Sequence, residues 1–407
     1  MKPILPTDGL RSDGGADLTV LALNTGSSSL KFGLYRVGAT GIGMLLSGEA
    51  SPVGEASGEF RAHDDQHRVL TSETLPMPGQ ADAIRRLARL LDDLEIPTPD
   101  VIGHRIVHGG PALRRHCFID DQVVRQLEAA SVFAPLHAAP AIEVIGFAGE
   151  HFAGVPQVAC FDTAFHADLP DIARVLPIPE ALRSQGIQRY GFHGLSCASI
   201  VRQLGADLKP RLIIAHLGSG CSLTAVRDGR SIDTTMGMTP TGGLVMGTRC
   251  GDLDPGVLVY LMREKGLDAV MTEDLVDHRS GLLGLSGVSG DLRRLHDVAA
   301  SNPDARLAIQ IFCYSARKQM AAMISALEGV DQIVFTGGVG ENDPVVRAAI
   351  CGGLSWMGLS LDEARNGSAA RLISDSRSSC SVHVLPSLED DEIARQAGAL
   401  LRDSLER

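Results

Sequence analysis

Four apolar runs in this chain end in side chains suited to handling phosphate. His104 and Arg105 lie in Val101–Val107, just ahead of His108-Gly109-Gly110-Pro111. Asp162 and Thr163 close Val155–Phe161. Arg189-Tyr190-Gly191-Phe192-His193-Gly194 interleaves cations, aromatics and glycines, and Met246–Asp252 sets Arg249 among small residues. Phosphoryl transfer needs cations on the developing charge, a carboxylate for metal or nucleophile, and backbone that cradles phosphate. These segments supply all three. Ligands of α/β folds collect at the carboxyl ends of strands, where these residues fall.

Two Gly/Ser turns strengthen the pattern. Asn24-Thr25-Gly26-Ser27-Ser28-Ser29 separates Val20–Leu23 from Leu30–Phe32. His216-Leu217-Gly218-Ser219-Gly220-Cys221 separates Leu212–Ala215 from Ser222–Thr224. Each reads as a hairpin whose turn exposes backbone N–H groups to an anion. Aligned on the turns, Asn24 meets His216 and Gly26 meets Gly218, which points to a duplicated unit and a two-domain nucleotide enzyme. Each residue alone has a plainer reading. Arg105 could pair with a surface carboxylate, Asp162 could cap a helix, His193 could be a hydrogen-bonded structural histidine, and Glu389 could complement a helix dipole.

The chain has 407 residues, so two domains are expected. A net charge of −12 argues against broad nucleic-acid binding. The eight cysteines show no metal-type spacing and read as reduced thiols in a cytoplasmic protein. No apolar run approaches a membrane span, and residues 1–17 read as a loose leader. The P-loop, dinucleotide, nucleophile-elbow and zinc-helix motifs are all absent from the sequence.

Strands are expected at Val20–Leu23, Leu30–Tyr35, Met44–Ala50, Arg68–Thr71, Val101–Val107, Val155–Phe161, Arg211–Ala215, Ser222–Val226 and Gln332–Thr336, with Ser51–Gly58 as a turn. Helical periodicity marks Ala81–Asp93, Asp121–Ser131, Ala139–Glu150, Ala305–Leu327 and Glu389–Ser404. Strands alternating with helices imply an α/β protein.

Seven ordered motifs then resemble the acetokinase family of the actin-like ATPase-domain superfamily, from about Val20 to Arg395. They are Asn24–Lys31, Gly103–Gly110, Phe161–His166, Arg189–Gly194, His216–Gly220, Met246–Gly251 and Gly338–Asn342. The resemblance implies two duplicated actin-like (ribonuclease H-like) domains with mixed sheets and a cleft between them. The expected extents are 18–165 and 166–388, with a helix at 389–407 packing back on the first. It implies reversible, direct in-line transfer of the ATP γ-phosphoryl group to acetate, giving acetyl phosphate and ADP, with Mg²⁺ (Mn²⁺ as an alternative). By position, Arg105 and Arg249 stabilise the phosphoryl group, Asp162 is the catalytic carboxylate, and His193 and His137 contact the transition state. Asn24 and Glu389 hold the metal, with Lys31 near the phosphates. His216, Leu217, Gly218, Ser219 and Gly220 cradle the phosphates. Asp291, Leu292, Arg293, Gly338, Val339, Gly340, Glu341 and Asn342 bind the adenosine side. Val107, Leu136, Phe192 and Pro240 line a methyl pocket. A homodimer through the second domain is also implied, with the apolar face of Ala305–Leu327 as part of the contact.

This chain departs from the family pattern at Ser219, where Asn is usual, and at Leu388-Glu389-Asp390, where Asn-Glu-Glu is usual. A propionate (short-chain acyl) kinase shares the motifs. A non-catalytic ATP-driven module would not need Arg105, Arg249 and Asp162 together, and a sugar kinase would want polar groups where the apolar set lies.

Overall fold

In a computed structural model, the described residues are 17–406 apart from Ser27, Thr40 and Ala134, and without the side chains of Pro135–His137. Of the expected leader only Asp17 falls among them. The described chain divides into two compact units, one running to Ala164 and resuming at Leu388, the other spanning Phe165–Ser387.

The strands of the first unit are β1 (Leu18–Thr25), β2 (Leu30–Val37), β3 (Ile42–Ser51), β4 (Glu55–Asp64), β5 (Val69–Met77), β6 (Val101–Ile106), β7 (Cys117–Phe118) and β8 (Gln157–Phe161). They form one sheet in the order β5-β4-β3-β2-β1-β6-β8-β7. The second unit contributes β9 (Arg211–Leu217), β10 (Cys221–Arg227), β11 (Arg230–Thr234), β12 (Gln332–Thr336) and β13 (Ser381–Val384), ordered β11-β10-β9-β12-β13. The same five-strand core occurs twice. In each unit the first strand pairs antiparallel with the second and parallel with a later strand across a helical connection. Asn24 and His216 each occupy the second-last position of that first strand.

Central strands are buried on both faces, and their sequences are correspondingly continuous in apolar residues. Ser51–Gly58, expected as a turn, instead delivers the chain into β4, and the strand expected at Arg68–Thr71 runs on to Met77. β4 hides from a sequence reading because charged residues, Glu59 and Arg61, alternate with its buried positions, and the polar middle of β5 hides its full length. Pairing of β4 with β3 and β5 supplies the missing order.

The helix Gln80–Asp93 buries Ala83, Ile84, Leu87, Leu90 and Leu91 at helical spacing, in one cluster with Leu21, Leu23, Phe32, Val144 and Ala148. The final helix, Glu389–Leu405, lies on β1, β6 and β8. It comes so close to β6 that a Cβ on Gly103 would stand 2.6 Å from Ile393 Cγ2. Glycine there lets the helix approach and carry its first-turn carboxylates to the strand ends. The helix Pro303–Ala326 buries Ala305, Ala308, Phe312, Cys313, Ala316, Met320 and Met323 inside its own unit. That stripe, expected to meet a second copy, is core.

Candidate active site

In the first unit, adjacent parallel strands bring Arg105 of β6 beside Asp162, which directly follows β8. Arg105 donates to one carboxylate oxygen, Asp162 Oδ2, through Nε at 3.1 Å and Nη2 at 2.7 Å. Its Nη1 donates to Asn24 Oδ1 at 3.3 Å. Asn24 in turn donates through Nδ2 to Asp390 Oδ1 at 2.9 Å and, more weakly, to Glu389 Oε2 at 3.4 Å. The result is a connected group from three strand ends and the start of the last helix. Arg105 therefore does not serve a surface carboxylate: Asp162 is 1% exposed. Asp162 is engaged by Arg105 rather than by a backbone N–H, so it does not act as a helix cap.

The electrostatics of this group are unbalanced. Asp162, Glu389 and Asp390 all interact with the one guanidinium. Burial raises the Asp162 carboxyl above the usual carboxylate range, and the charge of Arg105 opposes the shift. Burial likewise raises Asp390, against the bond from Asn24. Asp162 Oδ1 is buried with no hydrogen-bond partner. A buried excess of carboxylate and an orphaned carboxylate oxygen are features that a cation relieves. Among the described residues, no group of three or more His, Cys, Asp or Glu forms a metal cage. Lys31 pairs with Asn24 across β1 and β2, and its side chain is exposed.

Beyond Arg105, Val107 lines a narrow apolar cavity with Ile106, His108, Leu127, Ala141 and Ile142. Leu136 and His137 belong to the helix Pro135–His151, and their side chains lie outside the described residues.

The second unit holds a cavity of about 810 Å³, the size of a small-molecule site. Gly218, Ser219, Asp291, Leu292, Arg293, Gly338, Val339 and Asn342 line it, joined by Gly247, Thr248, Gly290, His296 and Asp343. Asp291 caps the helix Leu292–Val298 through the Arg293 N–H at 2.9 Å and also pairs with the Arg293 guanidinium. The other expected nucleotide residues lie behind or beside this wall. Leu217 is core. Glu341 accepts the N–H groups of Gly337 and Ser387, both at 2.9 Å.

His216 stacks on His193, with ring centroids 4.1 Å apart. Serines hold both rings: His193 Nδ1 meets Ser222 Oγ and His216 Nδ1 meets Ser196 Oγ, each at 2.9 Å. The His193 backbone is left-handed, with φ 57°, a conformation uncommon outside glycine. A Cβ on Gly220 would stand 3.3 Å from both Arg249 Nη1 and His193 Nε2, so glycine turn, cation and imidazole converge. Arg249 Nη1 donates to the Pro240 carbonyl at 3.3 Å. Phe192 is buried, and its carbonyl binds His166 Nε2 at 2.9 Å.

A sequence reading misses Arg347. This fully buried arginine donates to the carbonyls of Gly340 (2.8 Å) and Glu341 (2.9 Å), and to Asn366 Oδ1 and O. It thereby satisfies carbonyls at the end of the short helix Gly337–Asn342, whose residues reach the cavity wall. Burial pushes its guanidinium down. Its sequence signal, one arginine in an ordinary helix, is too weak to find.

The sequence matches the acetokinase family over residues 19–395. The chain is 42% identical to an acetate kinase of Methylocella silvestris over 398 residues, covering 94% of this chain and 98% of that protein. Its structure resembles a propionate kinase from Francisella tularensis at 34% identity and a TM-score of 0.88, covering 94% and 99% of the two chains. It also resembles Porphyromonas gingivalis acetate kinase at 34% identity and a TM-score of 0.84, covering 94% and 100%. The two-unit α/β fold, the strand-end arginine and carboxylates, and a match that spans nearly the whole chain agree: the protein belongs to the acetokinase family.

Proposed function

We propose that this protein is a phosphotransferase that moves the γ-phosphoryl group of ATP reversibly to acetate. The observation that carries the reading is the buried Arg105–Asp162 pair at the strand ends, joined through Asn24 to Glu389 and Asp390. Acetate is ionised at neutral pH, so its carboxylate needs no base. A carboxylate oxygen attacks the γ-phosphorus, the bond from phosphorus to the β–γ bridging oxygen breaks, and acetyl phosphate and ADP leave.

In this reading Arg105 and Arg249 bind the equatorial oxygens of the phosphoryl group as charge spreads over them. Asp162 fixes the Arg105 guanidinium by holding two of its N–H groups, and is a positioning residue in that respect. His193, locked by Ser222 and the His216 ring, donates to the same oxygens. Gly218 and Ser219 receive the nucleotide phosphates. Asp390, Glu389 and Asp162 Oδ1 fit Mg²⁺, which when bound neutralises phosphate charge. Val107 bounds the acyl chain. The eight cysteines form no disulfide, which fits a cytoplasmic site of action. A homodimer is proposed through Val257 and Tyr260 of the helix Pro255–Lys265, which lie one turn apart on one face and are both exposed.

A second reading, propionate as the preferred acceptor, draws on the likeness to the Francisella enzyme. One assay separates the readings. ATP and Mg²⁺ are incubated with acetate, propionate, butyrate or glycerol, and acyl phosphate is trapped with hydroxylamine. Acetyl hydroxamate as the dominant product supports the proposal. Dominant propionyl product selects the second reading, and absence of any acyl hydroxamate refutes both.

A further inference from the structure

The cavity of the second unit has two chemically different ends. Around Gly218 and Gly338 the wall is backbone and small side chains, a Cβ on Gly218 standing 3.9 Å from the Gly338 N–H nitrogen. The helix Gly337–Asn342 leads away from that end to Asp343, and at about 1.5 Å per residue the five steps from Gly338 cover roughly 7.5 Å. There the wall carries Asp343 and its partner His296. Polar side chains of this kind suit the hydrogen-bonding groups of a nucleoside.

His296 stands at this end of the cavity. Its Nε2 lies 2.9 Å from Asp343 Oδ2. Asp343 is itself fixed, because its other oxygen caps the helix Pro344–Gly352 through the Val346 N–H at 2.9 Å. A carboxylate only accepts, so Nε2 carries the hydrogen. In the neutral ring Nδ1 is then an acceptor, and the ring remains part of the cavity wall.

We infer that His296, oriented by Asp343, recognises the nucleoside: Nδ1 accepts a hydrogen bond from a donor on it, either the 6-amino group of adenine or a ribose hydroxyl. The inference rests on the reading of this cavity as the nucleotide site. Asp343 acts only through the ring and is a positioning residue.

The test uses the full-length enzyme at pH 8 with His296→Ala, Asp343→Ser and the double variant. Serine keeps the helix cap and removes the carboxylate that orients the ring. Substrates are ATP, ITP (which lacks the 6-amino group), and 2′- and 3′-deoxy-ATP, and the Kd of ADP is measured by calorimetry. For His296→Ala, the KM of ATP should rise about 3- to 10-fold, the effect of one hydrogen bond, with kcat at saturation within twofold. Preference for ATP over ITP should collapse if the amine is the donor. Preference over one deoxy-ATP should collapse instead if it is a hydroxyl. Asp343→Ser should raise KM in the wild-type background and add nothing in the His296→Ala background. Unchanged KM and ADP affinity in His296→Ala, or a uniform loss that preserves every preference, overturns the inference. Failure of the wild type to bind ADP would instead overturn the reading of the cavity, so the two failures are distinct.

Discussion

Asp162→Asn separates chemistry from folding at almost constant volume. The carboxylate accepts two guanidinium N–H bonds on Oδ2, at 2.7 and 3.1 Å. A hydrogen bond involving a charged acceptor contributes about 1.5–3 kcal/mol and a neutral one about 0.5–1.5 kcal/mol. The amide therefore weakens each bond by roughly 1 kcal/mol, or about 2 kcal/mol for the pair. Removing a buried partner outright costs about 3–5 kcal/mol, but Arg105 keeps its bond to Asn24 and the charges of Glu389 and Asp390. The expected loss is thus nearer 2 kcal/mol, a fall in Tm of about 4–8 °C. Turnover should fall far more. A guanidinium no longer held in a fixed fork loses its grip on the developing charge, and removing one such preorganised contact typically costs about 10²–10³ in kcat. Asp162 and the cavity proposed to take the nucleotide belong to different units, so ADP affinity should stay within about twofold. Hydroxamate kinetics, calorimetric ADP binding and a thermal melt measure the three quantities. A kcat within tenfold of wild type would refute the assigned role, as would a collapse of Tm together with loss of ADP binding.

Arg249→Ala should fold normally and lose about 10³–10⁵ in kcat, the range for arginines that stabilise a transferring phosphoryl group; steady-state kinetics within tenfold of wild type would remove it from the site. Val107→Ala should shift kcat/KM towards propionate, mainly through KM, by up to the 10- to 200-fold that one methylene discriminates; an unchanged acetate-to-propionate ratio would show that Val107 does not bound the acyl chain. Burial holds the buried histidines His104 and His166 down to about 4 from an ordinary 6.5. Their folded-state values are depressed, so the unfolded chain binds more protons and stability falls as pH drops from 6.5 towards 4. Each contributes up to about 3 kcal/mol at 1.36 kcal/mol per pKa unit. A Tm that stays flat from pH 7 to pH 4.5 would contradict this. Light scattering at dilute concentration should give a dimer mass that Tyr260→Asp reduces to a monomer; a monomeric wild type would reject the proposed face.

The sequence by itself determined what local chemistry determines. β1, β9 and β12 are legible because strands buried on both faces run nearly continuously apolar, and the helices Gln80–Asp93 and Glu389–Leu405 because one face alone is buried. Arg105 and Asp162 stand out as polar residues where apolar runs stop, whereas His193 and Arg249, expected at strand ends too, lie in segments that follow no strand. Tertiary structure decided the rest. β4 is half exposed and charged, so its order comes from its neighbours in the sheet. The Gly337–Asn342 helix holds three glycines, each costing about 1 kcal/mol relative to alanine, and no propensity argument places a helix there. Arg347, five residues beyond it, holds the carbonyls at its end. The apolar stripe of Pro303–Ala326 has the same periodicity whether it faces a core or a partner, and only packing shows that it faces the core. Arg105 and Asp162 are 57 residues apart, and Asn24 and Asp390 are 366 apart. Spacing along the chain carries no information about such pairs. They exist because parallel strands align their ends and the last helix returns to the first sheet, and only there does burial strengthen the charges enough to matter.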